Sequence, residues 1–154
     1  MEKDLIVDLN VDLNQNAVMH NKKGRTGAPL TPIPNMVTLA DIDAYPGPEL
    51  LIPRIVKEHG YTQDYAEKAF REAKRMIYLR HLSKEGVSPS KKIDMAWHEM
   101  LMFTKFYQEF CEFAGGFVHH NPAPGPPDGG RLYAKTKENY EKFLHEKPDP
   151  ELWA

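Results

Sequence analysis

Apolar and polar residues alternate along this chain with two different periods. Leu5, Val7, Leu9, Val11 and Leu13 fall at every second place, with Asp8, Asn10, Asp12 and Asn14 between and after them. A period of two suits a half-buried strand. The stretch that follows, NKKGRTGAPLTPIPN, is rich in Gly, Pro and Asn and cannot sustain a helix. Residues 1–36 therefore read as one strand, or as an arm that orders only on a partner, followed by an extended linker. Such an arm can add as a strand to a protein partner or to a second copy of the chain.

From residue 38 the period becomes helical. Thr38 is placed to N-cap a short helix, TLADIDAY, that Pro46 stops. A second helix is predicted from Pro48 to about His59, ending at Gly60. Thr62 opens the longest pattern, with Ala66, Ala69, Phe70, Ala73, Met76, Ile77 and Leu82 on one stripe and Gly86 as its stop. Asp64 before Lys68 and Glu67 before Arg71 add i,i+4 ion pairs to its wet face. Ser88 or Ser90 starts the next helix, whose stripe is Ile93, Trp97, Met100 and Leu101. Thr104 either restarts a turn within it or caps a separate helix that Gly115 and Gly116 end. A last helix runs from about Arg131 to Glu146 and is stopped by Pro148 and Pro150. The fold class is mostly α: a compact bundle of about five helices behind an extended N-terminal arm or single strand. The division is 1–36 arm and linker, 37–147 helical domain and 148–154 C-terminal tail.

Composition narrows the function classes. A formal charge of −2 gives no global attraction to nucleic acid or anionic membrane, and the local cluster Lys22, Lys23 and Arg25 reads as a solvated loop. No apolar run approaches the roughly 20 residues that span a bilayer. Acidic residues interrupt the first apolar run, so it is no secretory signal, and a cytoplasmic location is expected. The single cysteine, Cys111, excludes an internal disulfide framework and a multi-thiolate zinc site. The Asp8-x-Asn10-x-Asp12-x-Asn14 spacing is not a calcium loop, because Leu13 stands where the turn needs Gly and Met19 where a bidentate Glu is needed. There is no phosphate-binding glycine loop.

Candidate chemistry concentrates between Val87 and Pro124, which hold three of the seven histidines, the cysteine and a tryptophan. Asp94 and His98, four apart on a helix, face the same way, so the carboxylate can bond the imidazole or bind a ligand beside it. His119 and His120 lie past a helix end, free of helical geometry, and at least one can swing onto His98. A Pro/Gly-rich segment follows as a rim. These residues suit a metal site of two or three histidines and a carboxylate, for zinc or non-haem iron, with His98, His119, His120 and Asp94 as ligands and Glu99 or Cys111 in reserve. Trp97, Tyr107 and Cys111 line it. The alternative is a structural cluster, in which truncating His98 or His119 would cost about 1–3 kcal/mol through an unsatisfied buried partner.

The run Pro89-Ser90-x-x-Ile93-Asp94-x-x-Trp97-His98, then Thr104, Tyr107 and Cys111, then Gly-x-Phe-Val-His119-His120-x-Pro122, resembles the signature of the glycine-rich domain-containing-protein-like family. The preceding KRMIYLRHL fits the same pattern, and the resemblance covers roughly residues 48–124. It implies a helical fold and places the site in this stretch without naming a reaction. Members typically carry a second histidine two places after the first, where this chain has Met100, which implies one ligand fewer.

Two function classes follow. The first is an interaction or regulatory module with a structural histidine cluster. The second is a small metal-dependent hydrolase or oxygenase in which Asp94 or Glu99 is a ligand or general base. The absence of an unambiguous acid–base pair favours the first.

Overall fold

The computed structural model describes residues 37–121, 128 and 130–154. The predicted N-terminal strand or arm and the Pro-rich rim from Pro122 lie outside the described residues. Six helices form among them, with no strand: α1 Leu39–Ala44, α2 Leu51–His59, α3 Gln63–Ser83, α4 Lys91–Leu101, α5 Thr104–Ala114 and α6 Arg131–Leu144.

Local chemistry sets the helix ends. Thr38 and Asp41 form a capping box at α1, each side chain bonding the other's backbone N–H. Thr62 and Ser90 cap α3 and α4 through their hydroxyls. Gly60 ends α2 in the left-handed region, as predicted. Three boundaries differ from expectation. Helix α3 stops at Lys84, which itself takes the left-handed conformation at φ 59°, two residues before Gly86. Phe103, not Thr104, occupies the N-cap position of α5, with Thr104 its first residue and no side-chain cap. A turn closed by the Leu51 N–H on the Pro48 carbonyl precedes α2, which begins three residues later than predicted.

Helix α3 is the axis, packing against all five other helices. Its predicted stripe is buried except at Leu82. Encirclement buries its supposedly wet residues too: every side chain from Glu72 to Leu79 lies in the interior. The predicted Asp64–Lys68 pair forms at 3.5 Å, whereas Arg71 turns from Glu67 to Glu72 at 3.3 Å.

Charges this deep must be partnered. Arg75 grips Asp43 with two hydrogen bonds of 2.8 and 2.6 Å and donates to the Tyr140 hydroxyl at 2.8 Å and Glu146 at 2.9 Å. These bonds, Asp43 foremost, hold the guanidinium above its usual range. Glu72, 1% exposed, accepts at Oε1 from the Tyr140 hydroxyl at 2.7 Å and the Trp153 indole at 2.9 Å. Lys74 donates to the Asp43 and Tyr45 carbonyls at the end of α1, and burial pulls its amine down to about 8.

The segment assigned to a C-terminal tail belongs to the core. Leu152 and Trp153 are fully or almost fully buried, Trp153 between the rings of Tyr133 and Tyr140. Helix α6 stops at Leu144 with His145 left-handed, and the Asp149 carbonyl then accepts from the Leu152 and Trp153 N–H groups in a turn that directs both side chains inward.

One histidine of α3 ties the fold to the site. His81 donates from Nε2 to the Gly116 carbonyl at 2.8 Å. Gly115 and Gly116 carry φ of 138° and 144°, and a Cβ at Gly115 would stand 2.7 Å from the His81 ring, so the helix end closes tightly over it. Burial lowers the His81 pKa below 6.5, outweighing the Gly116 bond that raises it. The unfolded chain therefore binds the proton more readily. The contribution is complete above about pH 6.5 and is lost as pH falls below that value toward the folded-state pKa, by up to about 1.4 kcal/mol per pH unit. Denaturant midpoints measured from pH 7.5 to 5 should fall more steeply for the wild type than for His81→Gln.

Candidate metal centre

Helix α4 presents Asp94 and His98 one turn apart, and Ser90 fixes the register by capping the first turn. Trp97 and Met100 point the other way into the core. The second wall is the extended segment after α5. The Gly116 N–H closes the helix on the Cys111 carbonyl at 2.7 Å, and buried Val118 anchors the segment. A chain of buried donors then fixes its height: the Trp97 indole donates to the Tyr107 hydroxyl at 3.0 Å, and Tyr107 donates to the Val118 carbonyl at 2.5 Å. Burial pushes the Tyr107 hydroxyl far above its usual range, so it stays a neutral donor.

This pin sets His120 over α4. Its Nε2 lies 2.8 Å from Asp94 Oδ1, and its ring packs on Trp97 at 4.3 Å and edge-on to His98 at 4.8 Å. Asp94, His98 and His120 each offer a ligand atom, and these atoms all lie within 4.8 Å of one another. Around a four-coordinate ion with bonds near 2.0–2.2 Å, ligand atoms sit about 3.3 Å apart. The Asp94–His120 pair is already close enough. His98 is exposed, so its ring is the one free to rotate inward.

The other candidates separate from this group. His119 faces Phe117 at 4.8 Å and does not join the three, and burial lowers its pKa. Asp94 bonds His120 and not His98, its predicted helical neighbour. Glu99 is buried on another face, clamped by Arg54 and, at 2.8 Å, by His59. Burial opposes its charge, but those two bonds prevail and hold its carboxyl below the usual range. Cys111 is fully buried, and burial pushes its thiol up to about 12, which holds it as a neutral thiol. Met100, where the resemblance implies a second histidine, is completely buried about 200° around the helix from His98. A side chain there points away from the cluster.

Sequence reasoning missed the Trp97–Tyr107–Val118 pin. Its signal was present as a Trp and a Tyr ten apart on consecutive helices, each needing a partner for its polar atom once buried. A family model described as UCP032817-like matches residues 38–126, which contain the whole cluster and the stretch that carried the resemblance. No curated protein and no solved structure matches the chain.

Proposed function

The chain belongs to the UCP032817-like family, and we propose that it is a small helical binding module that holds one transition-metal ion between Asp94, His98 and His120. The observation that carries this is the convergence of two imidazoles and a carboxylate within 4.8 Å on two separately anchored segments. Two imidazoles with one carboxylate are a donor set for zinc or non-haem iron. The Asp94–His120 bond and the Trp97 stack pre-orient two ligands, lowering the ordering cost of binding. A binding role fits better than a hydrolase or oxygenase, since Glu99 is committed to Arg54 and His59 and, among the described residues, no second carboxylate stands at the group to act as a base. The glycine-rich domain-containing-protein-like relationship belongs to the same proposal, resting on the Asp94, Trp97, His98, His119 and His120 pattern.

One observation favours a second reading. The 2.8 Å Asp94–His120 contact by itself latches residues 117–121 onto α4, as a purely structural cluster would. The exposure of His98 separates the two. His98→Ala should leave the metal-free melting temperature nearly unchanged, because an exposed side chain has little to lose. It should abolish the rise in melting temperature that Zn²⁺ gives the wild type. His120→Ala should cost about 1–3 kcal/mol without any metal. Elemental analysis and melting of the tag-free protein with and without chelator check both. Binding that survives His98→Ala, or no ion that raises the melting temperature, would leave only the latch.

A further inference from the structure

Away from the metal group, the N-terminal half of α3 forms one side of an open cleft of about 530 Å³. The end of α1 and the first turn of α2 form the others, and the cleft shares no residue with Asp94, His98 and His120. A volume of this order suits a small organic molecule. Tyr45, Pro46, Ile52 and Phe70 make much of its lining apolar.

Two cations at the cleft lack a full set of partners. Lys74 is 3% exposed, and its ammonium donates to the Asp43 and Tyr45 carbonyls at 2.9 and 2.7 Å and sits 4.4 Å over the Phe70 ring. Among the described residues no carboxylate pairs with it, because Asp43 has both oxygens bonded by Arg75. Burial foremost disfavours the Lys74 charge, and the neighbouring Arg71 and Arg75 add to this against the pull of Asp43. Buried charges are ordinarily paired. Arg71, three residues before Lys74, bonds Glu72 from Nη2 at 3.3 Å, and its Nε is buried with no acceptor among the described residues. The side chain as a whole is 43% exposed, so the guanidinium can turn toward the cleft it lines. The acidic residues beside it already have partners: Asp64 faces Lys68 at 3.5 Å, and Glu67 accepts from Gln63 at 3.2 Å.

We propose that this cleft binds a small organic carboxylate, held at its charged end by the Arg71 guanidinium and the Lys74 ammonium and along its apolar body by Tyr45, Ile52 and Phe70. A carboxylate matches the planar guanidinium fork, supplies the acceptor that Nε lacks and pairs the buried ammonium. Lys74 keeps a third hydrogen for it beyond the two given to carbonyls. One negative charge suits the site better than two, since a phosphate would bring its second charge against Asp43 and Glu67 and leave the apolar lining bare. A neutral molecule would leave both cations as they are.

The test follows the nitrogen–proton correlation spectrum of the full chain, arginine Nε–H signals included, during titration with hexanoate and with phenylpropanoate. The two corresponding amides and inorganic phosphate are the controls, and Arg71→Gln and Arg71→Lys are titrated beside the wild type. Arg71→Lys keeps a cation next to buried Glu72 while removing the fork, and melting curves verify the fold of both variants. Both acids should saturate with dissociation constants below about 1 mM, moving the Arg71 Nε–H signal and the backbone signals of Tyr45 and residues 70–74. Amides and phosphate should bind the wild type at least about tenfold more weakly, and so should the acids bind either variant. Absence of a saturable shift with both acids overturns the site. Amides or phosphate binding as tightly as the acids overturns the carboxylate assignment, as does equal acid affinity in the wild type and both variants.

Discussion

Arg75→Ala is expected to be the most destabilising single change in the helical domain, at about 3–5 kcal/mol, because it strips a cation from a buried carboxylate. The cost comes less from the four bonds lost than from what they leave behind. Asp43 and Glu146 are partly exposed and can rehydrate. Glu72 cannot: at 1% exposure it keeps, among the described residues, Arg71 at 3.3 Å and the Tyr140 and Trp153 donors. Arg75→Met restores volume but not charge, so it should recover little on its own. Combined with Glu72→Gln it should be less damaging than the two single changes summed, by more than about 1 kcal/mol, since neighbours in one network do not add. Urea denaturation of the four proteins closes that cycle, and simple additivity would contradict the network account.

Trp153→Ala should follow closely, at about 3–5 kcal/mol, the range for removing a buried aromatic side chain. The indole fills space between Tyr133 and Tyr140 and also donates to Glu72, so truncation opens a cavity and removes a donor from a buried charge. For a chain of this size the loss corresponds to a fall in melting temperature of about 10 °C. Trp153→Phe keeps most of the ring and removes only the N–H, and should cost about 1–3 kcal/mol. Equal melting temperatures for wild type and Trp153→Ala would mean that the last residues do not hold the core.

These two residues also mark where the sequence stops being legible. Helical periodicity is a statement about one helix against one neighbour, and it located the elements and the stripe of α3 well. It treats the opposite face as wet. In α3 that face meets other helices, so Glu72, Lys74 and Arg75 are interior and paired with residues 29 to 81 positions away. No local spacing encodes such partners. Trp153 was hidden for a related reason: the prolines ahead of it announce the end of a helix, and they say nothing of a turn that brings the chain back. At the site, the i,i+4 rule correctly set Asp94 and His98 side by side. It could not choose between His119 and His120, because that choice depends on the height at which Tyr107 pins Val118. Nor could it foresee that Glu99, next to His98 in sequence, is spent on α2.

The encircled axis has a consequence for how this sequence can drift. The first two turns of α3 expose Gln63, Asp64 and Glu67, and there the chain can accept almost any helix-forming residue. From Glu72 to Leu79 the same helix has no outward side, and each position answers to a different neighbour. Mutational freedom therefore declines along one continuous helix from its N-terminal end to its middle. Relatives that share this fold would diverge at one end of the axis while the central turns change only in concert with the helices around them.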